Sequence, residues 1–330
     1  HLVANPDLDL ADIAYTLNVG RSRFSHRMAI VCDSVNGAVR ALQSMDSPYI
    51  ARRELLPRTP EIAFVFPGQG AQYASMGQAL YQSEPVFHDA FDDCLAALDR
   101  SIATDLKNRI FAGTANSLDE TAVTQPATFC LEYSLAQWWL SRGVKPTILI
   151  GHSVGEFVAA VMAGVMTLHD AMRLVARRGA LMQALPHGSM LSVRMDAEEL
   201  ERIMPESLSL AAHNGPSACV IAGPTAAIES FATTLTKDGF VTRSLRTSHA
   251  FHSSMMEPAV APFRELVVKI ALSPPKMAII STLTGKRMQA ADATDPGYWA
   301  SHLREPVRFS PAIRTALALN PGGDLAFLEV

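Results

Sequence analysis

Gly151-His152-Ser153-Val154-Gly155 sets a serine between two glycines, just after the apolar run 147–150 and just before a helical pattern of small residues. A hydroxyl on so sharp a strand-to-helix turn stands clear of the sheet. Side chains two positions to either side would collide there, and glycine at both relieves the crowding. The Val154 amide then falls at a helix N-terminus, pointing to where an oxyanion would develop. The chemistry open to such a serine is nucleophilic acyl transfer through an ester on its oxygen.

A serine nucleophile needs a base, normally histidine. Of the ten histidines, His26, His88 and His169 have polar neighbours and read as surface residues. His249 and His252 in TSHAFHSSMM sit where the chain returns to the body, and either can face a cleft. No aspartate stands out between Ser153 and His252 as the acid of a triad.

These residues must be positioned by a large α/β body. IAFVFPGQG is an apolar strand entering a glycine-rich loop, helical stretches follow to about residue 140, and TILI is the strand before the serine. Residues 190–247 read as strand, helix, hairpin around Asn214-Gly215, helix and strand. That β-α-β-β-α-β order is the ferredoxin-like pattern. It predicts an insertion within a body of residues 61–189 and 248–330, resumed by the strand MAIISTLTGK. Residues 1–60 read as a small α/β unit: helix LADIAYTLNVGR, strand HRMAIVCDS, helix VNGAVRALQSM, and a polar strap DSPYIARRELLPRTP.

The bulk numbers fit. The 330 residues are 48% hydrophobic and 18% charged with net charge −4, which suits a large buried core and argues against nucleic-acid or anionic-membrane partners. The four cysteines, Cys32, Cys94, Cys130 and Cys219, are scattered and read as free thiols in a reducing cytoplasm. No run is long enough to span a membrane, and no metal-binding spacing occurs. The start without Met and the strand-like close LAFLEV suggest a piece of a longer polypeptide.

FVFPGQGAQYASMG, TQPATFCLEYSLAQWW, GHSVGE, RRGALMQ, HNGPSACVIAG, SHAFHSSMMEP and YWASHLREPVRF occur in this order. Together they resemble the acyltransferase domain of modular type I polyketide synthases, relatives of malonyl-CoA:acyl-carrier-protein transacylases. Residues 1–60 resemble part of the linker between ketosynthase and acyltransferase. The resemblance implies an α/β-hydrolase-like large subdomain with a ferredoxin-like insertion, after a small α/β linker domain. It implies a Ser153–His252 dyad, with His252 oriented by a main-chain carbonyl mapped to His302. It also implies oxyanion-hole amides at Gln69 and Val154. Arg178 stands at the family's spacing from Ser153 for the arginine that binds the substrate's free carboxylate. Arg177 would point about 100° away on a helix. His152 and Gln183 are implied as further substrate contacts, and Phe251 in H-A-F-H as the malonyl-selecting residue, in agreement with Val154. The expected partners are malonyl-CoA, a phosphopantetheinylated acyl carrier protein and a ketosynthase domain of the same polypeptide, with no metal and no cofactor. The alternatives are the same chemistry with methylmalonyl, hydroxymalonyl or aminomalonyl units, or a serine hydrolase or thioesterase. A hydrolase would place a carboxylate against the histidine.

Overall fold

The structure is a computed structural model that describes every residue except 45–46, 55–58, 115 and 322. It divides into two compact units, His1–Pro60 and Glu61–Val330. The first contains α1 (Leu10–Val19), β1 (His26–Ile30), α2 (Val35–Ser44) and β2 (Ile50–Glu54). Asp9 caps α1 by accepting from the Ala11 and Asp12 amides, and Gly20 ends it. The expected strap is partly a strand: residues 50–54 pair antiparallel with β1, from His26↔Glu54 to Ile30↔Ile50. The remainder of the strap includes residues 55–58, outside the described residues.

The second unit begins with β3 (Glu61–Phe66), α3 (Gln78–Ser83), α4 (Pro85–Ala96), α5 (Arg100–Phe111) and α6 (Thr121–Ser141). Then come β4 (Ile148–Gly151), α7 (Gly155–Met162) and α8 (Leu168–Gln183). The inserted elements are β5 (Ser189–Val193), α9 (Ala197–Ile203), β6 (Ser209–Gly215), β7 (Ala218–Gly223), α10 (Thr225–Lys237) and β8 (Thr242–Ser244). The chain closes with α11 (Glu257–Val267), β9 (Ala278–Ile280), α12 (Ala290–Thr294), α13 (Pro296–Ser301), α14 (Phe309–Ala318) and β10 (Leu325–Glu329).

A parallel sheet in the order β10-β3-β4-β9 forms the body. Its central strands β3 and β4 are apolar on both faces because both are covered. Phe64, Phe66 and Leu149 face a core shared with Phe91, Phe129 and Phe157 of α4, α6 and α7. Ala63, Ile148 and Ile150 face the other way, onto Ala312 and Ala316 of α14. The loops leaving the C-terminal ends of the neighbouring β3 and β4 carry Gln69 and Ser153, the usual place for a site in such a sheet.

The second sheet is antiparallel, in the order β6-β7-β5-β8, as β-α-β-β-α-β connectivity requires. Its alternation divides the side chains. Leu191, Val193, Leu210 and Ile221 pack beneath α9 and α10, whereas Met190, Ala211, Ala212 and Val220 join the main core. The latter four also wall a cavity beside Ser153. The hairpin turn lies at Pro216-Ser217, between Gly215 and its partner Ala218, rather than at Asn214-Gly215. Asn214 therefore belongs to β6. A parallel bridge from Ala212 to Val307 ties this sheet to the segment after α13.

Candidate active site

Ser153 occupies left-handed backbone, φ 54°, between the end of β4 and the start of α7. The flanking glycines are sterically required. A Cβ on Gly151 would lie 2.1 Å from the Glu156 amide nitrogen, and one on Gly155 would lie 2.5 Å from the Phe66 carbonyl oxygen. His252 is also left-handed, φ 56°, and among the described residues Ser75 is the only other non-glycine with positive φ. The backbone strain therefore concentrates on the two residues whose side chains meet.

The His252 Nε2 lies 2.8 Å from the Ser153 Oγ, and its Nδ1 lies 2.9 Å from the Glu305 carbonyl oxygen. Nδ1 must donate to that carbonyl, so Nε2 is the acceptor for the serine proton. The orienting carbonyl is thus Glu305's and not His302's. His302 caps α13 with its carbonyl turned to the Arg178 Nη2 at 3.4 Å and its ring turned to Glu156. The carbonyl that reaches the imidazole lies beyond the next turn. No carboxylate pairs with His252 among the described residues. His249 is apart from this pair: its Nε2 donates to the Leu185 carbonyl at 3.0 Å. Burial first, and then the nearby Arg178 charge, hold the His252 pKa well below the ordinary histidine value despite the Glu305 carbonyl. The imidazole is a neutral base at pH 7.

Arg178, on α8, is 1% exposed. It donates to the Gln125 Oε1 at 2.5 Å and to the Ser153 Oγ at 3.1 Å, and its Nε has no partner. No carboxylate lies against it among the described residues. Desolvation lowers its pKa to about 10, so it remains a cation at neutral pH. Gln125 in turn donates to the Thr121 Oγ1 at 2.8 Å, and Thr121 donates to the Gln69 Oε1 at 2.8 Å. One chain of hydrogen bonds thus runs from the guanidinium to the glycine-rich loop after β3. The Gln69 and Val154 amides make no protein hydrogen bond among the described residues.

A 470 Å³ cavity brings together Gln69, His152, Ser153, Val154, Arg178, Phe251 and His252. Gln183 does not line it. Five residues past Arg178 puts Gln183 about 140° around α8, and its Oε1 is buried without a partner. Gln125 is the amide that occupies the cavity instead. The His152 Nε2 donates to the Asn214 Oδ1 at 3.0 Å, joining the elbow to β6. Gln125 and Thr121 carry no role in the sequence reading. Their i, i+4 spacing puts two polar groups on one face of a largely apolar helix, the signal that was available.

Behind the elbow, Glu156 is fully buried. Its carboxylate accepts from the Thr282 amide at 2.8 Å, the Tyr298 hydroxyl and the His302 Nε2 at 3.1 Å. Burial alone would raise the Glu156 carboxyl, but these donors outweigh it and hold it below the usual range.

Residues 63–330 match the family described as acyl transferase domain. The chain belongs to that family. Residues 1–42 match a second family, CurL-like, PKS C-terminal. The acyltransferase is 35% identical to a subunit of the phenolphthiocerol/phthiocerol polyketide synthase of Mycobacterium tuberculosis, covering 96% of this chain and 22% of that protein. It therefore spans about a fifth of that relative's length. Among solved structures, it is similar to the acyltransferase domain from the second module of the salinomycin polyketide synthase. That match has 40% identity and a TM-score of 0.83, and covers 99% of this chain and 77% of the other. It is also similar to the malonyl CoA-acyl carrier protein transacylase of Coxiella burnetii, with 28% identity, a TM-score of 0.74, and 82% and 87% covered. No helix among the described residues is long and apolar enough to cross a membrane, and no group of three or more His, Cys, Asp or Glu is placed to hold a metal.

Proposed function

We propose that this acyltransferase transfers a malonyl unit from CoA to the phosphopantetheine thiol of an acyl carrier protein during polyketide extension. The observation that carries this reading is Arg178: a buried guanidinium with no acidic partner, 3.1 Å from the Ser153 oxygen. A desolvated cation without a counterion favours a substrate that brings one. Malonyl-CoA brings a carboxylate at one end and a thioester at the other, and a guanidinium grips such a carboxylate through two parallel donors. The similarity to a malonyl CoA-acyl carrier protein transacylase supports the same substrate class.

His252 takes the Ser153 proton as the Oγ attacks the thioester carbonyl. The Gln69 and Val154 amides hold the oxyanion, each donor contributing about 3–4 kcal/mol to the transition state. Collapse breaks the C–S bond, His252 returns the proton to the departing CoA sulfur, and a malonyl ester remains on Ser153. The carrier thiol then gives its proton to His252, attacks the ester, and leaves as the malonyl thioester with Ser153 restored. Phe251 lines the cavity beside the base and crowds an α-methyl group, which favours malonyl over methylmalonyl. Arg243 and Arg246, exposed and lining the same cavity, suit the phosphates of CoA and of the carrier's phosphopantetheine. A ketosynthase in the same polypeptide would consume the product.

Intact-mass measurement tests the proposal. Malonyl-CoA should add one malonyl group to the protein but not to a Ser153→Ala variant, and holo carrier protein should discharge it. Hydrolysis equally fast with and without carrier protein would instead identify a hydrolase.

A further inference from the structure

Glu156 has no role in the transfer just described, although it is a buried carboxylate one helical turn from the nucleophile. Everything against it is a donor. The Thr282 amide and hydroxyl both lie 2.8 Å from its Oε2, and the Tyr298 hydroxyl and the His302 Nε2 meet its Oε1. The Thr282 amide, the Tyr298 hydroxyl and the His302 Nε2 divide between the two carboxylate oxygens. The Thr282 hydroxyl shares its one proton with the Gly151 carbonyl at 2.7 Å. A carboxylate fits donors on both oxygens, and no neutral side chain of the same length does. Glutamine would turn an NH₂ toward donors, and aspartate would fall short by one methylene. The site therefore demands this residue type for a reason beyond packing.

The groups Glu156 gathers come from three parts of the chain: α7 itself, the turn after β9 through Thr282, and α13 through Tyr298 and His302. The α13 connection matters because the turn leaving that helix faces the nucleophile. The His302 carbonyl accepts from the Arg178 Nη2 at 3.4 Å, and the Glu305 carbonyl accepts from the His252 Nδ1 at 2.9 Å. The turn between them is tied to α13, since the Glu305 amide donates to the Ser301 carbonyl at 2.9 Å. The His302 ring stacks on Trp299 of its own helix, and both rings pack against Phe157 of α7, with centroids 6.3 and 5.2 Å from it, so the His302 Nε2 meets Glu156 while α13 is docked on α7.

We propose that Glu156 is a positioning residue. Through His302 it fixes the turn whose two main-chain carbonyls set the Arg178 head and the His252 tautomer, registering the carboxylate-binding group and the base to the same elbow that carries the nucleophile. The inference rests on the transfer reading for the role of Arg178, but the link from Glu156 to His252 stands on its own.

The titratable groups facing His252 are Arg178 from α8, His152 from the elbow and His302 from the end of α13. Glu156 makes no contact with His252; it reaches the base through His302 and the turn that follows. The Glu305 carbonyl favours protonation of His252. Losing its alignment moves the pH midpoint of Ser153 acylation toward acid while the plateau falls.

The test uses Glu156→Gln and His302→Phe in the whole chain, the second keeping a ring against Trp299. Each should lower acylation by malonyl-CoA about tenfold to a hundredfold, the loss expected for a displacement of about 1 Å. Both should reduce the malonyl-to-acetyl preference, Glu156→Gln, which keeps the His302 ring, should shift the pH midpoint acidward, and the double variant should be no worse than the poorer single. A Glu156→Gln protein that folds with the wild-type midpoint and preference, or losses that simply multiply, would overturn the inference. Should Glu156→Gln fail to fold, Tyr298→Phe removes one donor and decides the same two readouts. A fluorophosphonate reads the Ser153–His252 pair without malonyl chemistry. A wild-type protein that takes the phosphonate but no malonyl group would refute the transfer reading alone, while an unmoved phosphonate midpoint in Glu156→Gln would refute this one alone.

Discussion

Replacing Arg178 with methionine separates what the guanidinium does for the substrate from what it does for the fold. Burial pulls the Arg178 pKa down to about 10, a depression equivalent to about 3 kcal/mol of unfavourable desolvation in the resting site. Methionine removes that penalty and keeps most of the volume. It also leaves the Gln125 Oε1 and the His302 carbonyl without a donor, and each such loss costs about 1–3 kcal/mol. The two lost partners together cost about 2–6 kcal/mol, a range that overlaps the relieved desolvation and is opposite in sign, so the melting temperature does not report on function. The substrate ratio does. A charge-assisted pair with the malonyl carboxylate contributes about 1.5–3 kcal/mol, a factor of about 10–150 in kcat/KM that acetyl-CoA cannot receive. Single-turnover acylation with each thioester, read by intact mass, should show the malonyl-to-acetyl ratio falling by that factor in Arg178→Met. Acetyl transfer should hold or rise. Equal slowing of both thioesters would refute the assignment, because it would mean that Arg178 acts only on Ser153 and the oxyanion.

Three further outcomes are expected. The kcat/KM of acylation should stay level through the pH range in which an ordinary histidine titrates and fall only in more acid solution, because the active form is neutral His252 and its pKa is depressed. A midpoint at the ordinary histidine value would contradict the burial argument. Gly155→Ala should destabilise the protein by about 1–3 kcal/mol and abolish acylation, since its Cβ would lie 2.5 Å from a main-chain oxygen; thermal unfolding and intact mass check both parts. Phe251→Ser should raise methylmalonyl relative to malonyl transfer by a factor of about 10 or more, the value of one methyl group in a pocket, and an unchanged competition ratio would remove Phe251 from selection.

The elbow was legible because its geometry dictates residue types: only glycine fits at 151 and 155, and the strand before it is buried on both faces. The insertion was legible because its alternation is confined to residues that either pack under α9 and α10 or face the body. The orienting carbonyl was not. A main-chain acceptor has no side-chain signature, and the shift from His302 to Glu305 depends on how the turn after α13 closes. The hairpin at Pro216-Ser217 escaped for a related reason. Asn-Gly is the stronger turn signal, yet Asn214 stays in β6 and bonds His152. The place of Gln183 was legible in the spacing, since five residues from Arg178 on one helix is about 140°, the same argument that sets Arg177 aside. Gln125 fills the position from a helix more than fifty residues earlier in the chain.

The paired left-handed residues show why the surrounding network is so dense. A non-glycine residue held at positive φ costs about 1–3 kcal/mol, and here Ser153 and His252 are both held there. The serine's conformation is explained locally, by the glycines and by α7 just beyond. His252 has no such neighbours: Phe251 and Ser253 flank it, so its backbone must be fixed by contacts made elsewhere. The Ser253 hydroxyl donates to the Ala250 carbonyl at 2.6 Å, closing the backbone around residue 252, and the Glu305 carbonyl holds the ring from the opposite side. The base is therefore strained where the sequence gives no sign of it. Its alignment to within 2.8 Å of the serine is a property of the assembled body, of the Glu305 turn above all, rather than of the H-A-F-H segment alone.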